Sequence, residues 1–504
     1  MSRHITYRVL QLFHKLTNRT LTLIFGSQFR EKYIPVVALL KTRLFPEYSV
    51  PNPVVSNDLI EVEHVELAEP VLQNTIPPIP EWVLAEMRVL GRAIDPAIYP
   101  TDAFIASCPH YIYPAIPRPG QIYEQLIQQC TVEHYAICFT IPWLKRGGAD
   151  FVTLKHIELA HKRYEGKVLV ILTEPGDSPW LNRIPEGVDI LNVSEFVSEV
   201  SHEEILVILS RLLVQLQVDT LHIINSRHVW EIVCRHGLAL RQRTRIFASV
   251  YCDDYDGYGQ PVGFSRQYLQ SCHKHITKIF SDNTAFPLLL QKTYGYKPSL
   301  FSVLKSPVDM EHIVIADRHP IGRRVLWAGR LDRQKRPDLL ADIAELMPDV
   351  EFHVYGDSVL ESNNDAIMKL EQLKNVMMKG HFDGVESLPF NDFPVFLYTS
   401  QWDGTPTMVI AAALASIPMV ASCVGGVGDI VNEKTGFPIR DIEDASLYAT
   451  AIRYALKNPS EAESLALAAR KYVESEHAPS AFELALFNTE GYFNCNALPP
   501  LENA

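Results

Sequence analysis

A chain of 504 residues exceeds what one hydrophobic core usually supports, so two domains with additions are expected. Apolar residues make up 47% and charged residues 21%, an ordinary globular composition. The net charge of −13 excludes a bulk nucleic-acid binder, whose surface is normally basic. Eight cysteines with no C-x-x-C pair suggest neither a zinc site nor a disulfide framework, and a reducing, cytoplasmic setting is expected. No apolar run reaches the ~20 residues that span a bilayer, and no signal-peptide pattern opens the chain.

The first 47 residues stand apart. Arg3, Arg8, Lys15, Arg19, Arg30, Lys32, Lys41 and Arg43 are opposed only by Glu31 and Glu47, and Leu10, Phe13, Leu16, Leu21, Ile24 and Phe25 recur at roughly helical spacing. Such a basic amphipathic helix suits an anionic membrane surface; equally, it suits a terminal helix docked on the body with its cations solvated. Residues 48–81 are acidic and Pro-rich without periodicity, which reads as a linker or an irregular wrap. A short helix is expected over 81–92, before another Pro-rich passage from Cys108 to Gly120.

From there the pattern is regular. Strand-like runs at 135–141, 167–173, 219–224, 245–251 and 276–281 alternate with helical stretches at 194–215 and 227–238, and this unit closes near Pro307. The rhythm restarts at 324–328 (RVLWA), with a helix opening at Pro337 and further strands at 350–355 and 375–379. A buried strand ending at Tyr398 then meets a tight loop, Asp403-Gly404-Thr405-Pro406, and a small-residue helix from Thr407 to about Ser416. Strand 418–422, a turn at Gly425-Gly426 and helices at 444–457 and 459–475 complete the set. Strands alternating with helices call for parallel sheets covered on both faces. The fold class is therefore α/β, with two Rossmann-like domains facing a cleft and an N-terminal extension. Ligands of such sheets gather outside the carboxyl ends of the strands.

The chemistry-bearing residues fall at those strand ends. Gly329 and Arg330 follow one strand directly, and Lys335 lies in the same loop, so a guanidinium and an ammonium enter one cleft, a pairing suited to a diphosphate. Pro406 opens a helix whose amides at Thr407, Met408 and Val409 face outward with the positive dipole end behind them. Gly425 and Gly426 permit close backbone approach, and Asp403 offers an acceptor for hydroxyls. In the first domain, Gly147-Gly148 follow the first strand and open a helix. Each feature alone is weak; a solvated basic loop or an ordinary βαβ turn explains any one of them. The Asp254-Tyr255-Asp256 triplet reads as a solvated turn and is assigned no metal.

With these pieces in place, the chain resembles glycosyltransferase family 4, retaining enzymes of the GT-B fold that use nucleotide sugars. The resemblance is strong over 322–476, moderate over 135–310 and absent before about 130. It is carried by AGRLDRQKRPDLL (328–340), VYGD (354–357), TSQWDGTPTMVIAAALASIPMVAS (399–422), VGGVGDIV (424–431) and PWLKRGGAD (142–150). It implies an N-terminal extension over 1–130, an acceptor-side domain over 131–310, a donor-binding domain over 311–476, and a C-terminal helix and tail over 477–504 returning to the first domain. It further implies transfer of a sugar from a nucleotide-activated donor to a glycan or lipid-linked glycan in polysaccharide biosynthesis, with retention, no metal and no cofactor beyond the nucleotide-sugar co-substrate. Arg330 and Lys335 would stabilise the diphosphate leaving group, Asp403 would meet the donor sugar, and Gly147 and Gly148 would lie against the phosphates. Membrane-surface contact would come through residues 1–47, at the inner face of the membrane.

Two departures qualify the resemblance. The family's second acidic residue, which binds the ribose, is replaced by Ala411, and the histidine many members carry after a strand of the first domain is replaced by Cys252 and Asp253. Asp253 is then a candidate for the sugar or acceptor side, though a loop carboxylate outside the cleft fits as well. A degenerate transferase acting as a non-catalytic scaffold is the alternative reading.

Overall fold

The computed structural model describes residues 79, 81–107, 117–145, 147–308, 320–357 and 364–493; the basic stretch 1–47 and nearly all of 48–81 lie outside them. The chain separates into two compact units, 1–113 and 114–504. In the first, α1 (Glu81–Ala93) buries Leu84 and Gly91, and a β-carbon at Gly91 would sit 2.8 Å from the Tyr99 backbone, which is why the helix carries no side chain there. Asp95 caps the turn Pro96–Ile98 through the Ala97 amide at 2.9 Å, and α2 (Asp102–Ser107) follows.

The second unit holds two fully parallel sheets. The N-terminal lobe contains β1 (Ile137–Ile141), β2 (Val168–Leu172), β3 (Asp189–Asn192), β4 (Thr220–Ile224), β5 (Arg245–Ser249), β8 (Lys278–Ser281) and β9 (Phe301–Val303) in the order β3-β2-β1-β4-β5-β8-β9. Between β5 and β8 lies a small antiparallel hairpin, β6 (Asp254–Tyr255) and β7 (Pro261–Val262). Strands β1, β2 and β4 are buried at every position, as continuous apolar runs require when helices cover both faces. Helix α3 (Pro117–Gln128) contributes Ile122 and Leu126 to this core, so the lobe begins before residue 131.

The C-terminal lobe runs β12-β11-β10-β13-β14-β15, with β10 (Arg324–Ala328), β11 (Glu351–Tyr355), β12 (Val376–Gly380), β13 (Val395–Tyr398), β14 (Met419–Ser422) and β15 (Phe437–Ile439). Both sheets reverse their winding between the first and fourth strands of the lobe, β1/β4 and β10/β13. That reversal is the topological switch point of a doubly wound sheet, outside which ligands bind.

Sequence periodicity misplaces one helix start. Instead of a helix from 194, Val193–Phe196 is a 3₁₀ turn and the helix is His202–Gln215. The reason is a capping box: the Ser201 hydroxyl accepts from the Glu204 amide, and the Glu204 carboxylate accepts from the Ser201 amide at 2.8 Å. The chain's end crosses between lobes. After a long helix of the C-terminal lobe, Pro459–Glu476, His477 is fully buried, its Nδ1 2.8 Å from the Ser306 carbonyl, while the Val308 amide donates to the His477 carbonyl at 3.0 Å. The following helix, Pro479–Asn488, delivers Phe482 and Leu486, then Tyr492 and Phe493, to the core of the N-terminal lobe.

Candidate active site

The loops after β10 and β13 meet at the switch point. Asp332 caps the turn Arg333–Lys335, accepting from the Lys335 amide, and the Gln401 amide donates to the Gln334 carbonyl at 2.8 Å, so the two loops share hydrogen bonds. This scaffold aims Lys335 Nζ at the Asp403 carboxylate and at the Tyr398 hydroxyl, 2.7 Å away. Tyr398 in turn donates to Asp403 at 2.5 Å. Burial, then the Asp403 charge, pushes the Tyr398 phenol well up, so it stays protonated and donates. Lys335 and Asp403 were expected from the sequence; Tyr398 was not, because at the end of FLY it reads as one more apolar strand residue. Arg330 lies in the same loop but is differently engaged, by Gln334 Oε1 at 2.6 Å and Asp332 at 3.3 Å, with its side chain 38% exposed. Gly329 donates to the Tyr355 carbonyl at 3.0 Å, which anchors the loop's first residue to β11.

The helix Thr407–Leu414 starts at the cleft, capped by extended Pro406. Helix geometry leaves the Thr407 and Met408 amides without intrahelical acceptors. Val409 differs from expectation: its amide donates to the Pro406 carbonyl at 3.1 Å and its side chain is fully buried, so two amides rather than three face outward. The turn at 425–426 also has another task. A β-carbon at Gly425, where φ is +46°, would lie 1.8 Å from the Asp403 carbonyl, and the Gly426 amide is committed to the Gly404 carbonyl at 2.8 Å. These glycines let the turn pack beneath the Asp403 loop. Ala411 is buried in the apolar core of the lobe, so no carboxylate stands at that helical position.

The N-terminal lobe closes against this site at several places. Gly147 caps the helix Gly148–Arg163, and a β-carbon at Gly148 would come within 2.9 Å of Thr407 Cγ2. Asp282, at the end of β8, accepts from the Thr405 amide at 2.7 Å, while Thr405 Oγ1 donates to the Asp282 carbonyl at 2.9 Å. Thr405 and Gly404 therefore face the other lobe. Burial dominates at Asp282 and raises its pKa to about 6, despite the donors from Thr405 and Asn283. Asp429 accepts from the Thr284 amide at 3.0 Å and pairs with Lys305. No local sequence motif marks Asp282, since its partner lies 123 positions away.

Of the two readings open for Asp253, the geometry favours the loop carboxylate. Its carboxylate is buried and held by Arg266, at 2.8 Å from Nε and 2.5 Å from Nη2, which makes it an anchor of its loop rather than a free ligand for a sugar. In the neighbouring triplet, Asp256 accepts from the Tyr258 and Gln260 amides at 2.8 and 2.9 Å, closing the β6–β7 turn. Across the cleft, Arg333 donates to the Asp256 carbonyl at 2.6 Å, and the Tyr255 and Trp402 rings lie 5.0 Å apart. Among the described residues no helix is long and apolar enough to cross a membrane.

Two doubly wound lobes facing one cleft, with cationic loop, helix start and glycine loop gathered at their switch points, define a GT-B fold. Residues 322–458 match the family model described as glycosyl transferases group 1. The same fold is found in Anabaena HepE in complex with UDP and glucose (TM-score 0.56, 15% identity, 71% of this chain and 99% of that one). It is found too in a glycosyltransferase from Rickettsia africae ESF-5 (TM-score 0.57, 15% identity, 73% and 100%). By sequence the chain is similar to spore coat protein SA of Bacillus subtilis, 31% identical over 166 residues, 30% of this chain and 44% of that protein. It is similar also to the O-antigen biosynthesis glycosyltransferase WbnH of Escherichia coli, 27% identical over 121 residues, 24% and 34%. The chain thus spans less than half the length of these two relatives.

Proposed function

We propose that this protein is a glycosyltransferase that moves a sugar from a nucleotide-activated donor to a glycan acceptor. The observation that carries the reading is the approach of Gly148 to Thr407: it sets the glycine loop of one lobe against the helix start of the other, beside Lys335 and Asp403. Departure of a nucleoside diphosphate builds negative charge on its phosphates, and preorganised cations and amide dipoles stabilise that transition state. Arg330, Lys335 and the Thr407 and Met408 amides supply such donors, in a mechanism that needs no metal. Binding of the diphosphate would draw Lys335 from Asp403, freeing that carboxylate for hydroxyls of the donor sugar. Retention of anomeric configuration, membership of family 4, a lipid-linked acceptor and a place at the cytoplasmic membrane face extend the same proposal. They are supported by the motif resemblance and by relatives named for O-antigen biosynthesis.

The test is turnover. Purified full-length protein, incubated with a panel of nucleotide sugars, is expected to release sugar or transfer it. Arg330→Ala is expected to lower the rate about 10²–10³-fold, the scale of removing one preorganised donor from a transition state. Binding of nucleoside diphosphate with no sugar release across the panel would instead establish a non-catalytic scaffold.

A further inference from the structure

Two cysteines of the N-terminal lobe, remote from each other in sequence, converge on one oxygen. Cys234 belongs to the helix Arg227–Leu240, and Cys272 ends the short helix Leu269–Cys272 that packs against it. The Tyr268 carbonyl accepts from Cys234 Sγ at 3.6 Å and from Cys272 Sγ at 3.3 Å, so the two sulfurs are neighbours. Both are free thiols.

A buried cysteine usually serves as a small apolar side chain, and Cys272, fully buried in the lobe's core, fits that description taken alone. Cys234 does not. It is only half-buried, and its pKa is lowered, first by the hydrogen bond of the Cys272 thiol, which outweighs burial and the Glu231 charge. The same hydrogen bond, with burial, pushes the Cys272 thiol up. The other described cysteines, Cys130, Cys138, Cys252 and Cys423, are all raised, with burial the first cause in each. Among the described residues, the thiol that ionises most readily is therefore the one with a second, protonated thiol against it. That is the arrangement of an attacking and a resolving cysteine.

We propose that Cys234 and Cys272 form a redox modification site, at which a hydroperoxide converts the two thiols into a reversible disulfide. The Cys234 thiolate attacks one peroxide oxygen, the O–O bond breaks, and the leaving hydroxide takes up a proton as water, which leaves Cys234 as a sulfenic acid. The Cys272 sulfur then attacks the Cys234 sulfur. The S–O bond breaks, and hydroxide departs with the Cys272 proton as a second water. Two electrons pass from the thiol pair to the peroxide. The bond closes 234–272 into a loop that holds β5, the hairpin β6–β7 and Arg266, the partner of Asp253. It thereby fastens to a core helix the segment whose Asp256 carbonyl and Tyr255 ring meet Arg333 and Trp402 of the other lobe. In a reducing compartment such a pair stays reduced and is oxidised transiently.

The probe is hydrogen peroxide. Full-length protein, reduced and desalted, is treated with it, alkylated and digested for mass spectrometry. The expected product is a peptide pair joining Cys234 to Cys272, formed ahead of oxidation at any other cysteine and lost on adding dithiothreitol. Cys272→Ser is expected to leave Cys234 as a sulfenic acid that dimedone labels. Cys234→Ser is expected to abolish the cross-link and to leave residue 272 unlabelled. No linked pair in the wild type, a pair that forms only in urea-denatured protein, or earlier oxidation of another cysteine overturns the site. Each of those outcomes is read on the wild-type chain, so none depends on a variant that folds.

Discussion

Asp282 shows how one buried carboxyl couples the lobes. Its folded pKa of about 6 stands above the usual 3.8 because burial disfavours the charge. A raised carboxyl binds its proton more tightly in the folded chain, so its stabilising contribution is full below pH 3.8 and is lost as pH rises through 6. Asp282→Asn removes that titration while keeping an oxygen for the Thr405 amide. Unfolding free energies from urea titrations at pH 4 to 7 are expected to fall less steeply with pH in the variant, by on the order of 2 kcal/mol across the window; parallel slopes would refute the assignment. The residue could not be found from the sequence because its chemistry comes from partners brought together by the fold. Lys335 and Asp403 were legible, since motif spacing alone sets them in adjacent strand-end loops. Asp253 was left between two readings for the converse reason: nothing local announces that Arg266, thirteen residues on, occupies both its oxygens.

Among elements, the glycine loop and the facing helix start form the contact most open to measurement. A methyl group at Gly148 would press on Thr407 Cγ2, within 2.9 Å. Gly148→Ala is expected to weaken the UDP-induced thermal shift, and adding Thr407→Ser, which removes the opposing methyl, is expected to restore part of it. A double-mutant cycle should return a coupling of about 0.5–3 kcal/mol, the range for residues in direct contact; additive effects would mean the two elements do not meet. The crossing tail makes a second case. Phe482 is buried in the N-terminal lobe's core, and Phe482→Ala is expected to cost about 3–5 kcal/mol there, seen as an early unfolding step in urea. The central strands were readable because burial on both faces leaves continuous apolar runs such as VLVIL. Strand β3 (DILN) and the three-residue β9 lie at opposite edges of the sheet, where exposure dilutes the apolar signal, and neither stood out.

At the scale of the whole molecule, the acidic body and the basic first 47 residues are the strongest contrast. That stretch carries eight Lys and Arg against two Glu in a chain whose net charge is −13. The same cations suit two destinations: an anionic bilayer or the protein's own acidic surface. Each Lys or Arg near an anionic surface contributes about 1 kcal/mol, and that attraction decays within a Debye length of about 8 Å at physiological salt. Full-length protein is therefore expected to sediment with vesicles containing phosphatidylglycerol but not with phosphatidylcholine alone, and to be released by 0.5 M salt. Deleting residues 1–47 is expected to abolish the sedimentation while leaving the UDP-induced thermal shift intact, since Lys335, Asp403 and Thr407 all lie in the other compact unit. Unchanged sedimentation after the deletion would assign the basic stretch to the protein's own surface. The membrane-facing acceptor would then lose its support, while the transfer chemistry, which rests on the cleft alone, would keep its own.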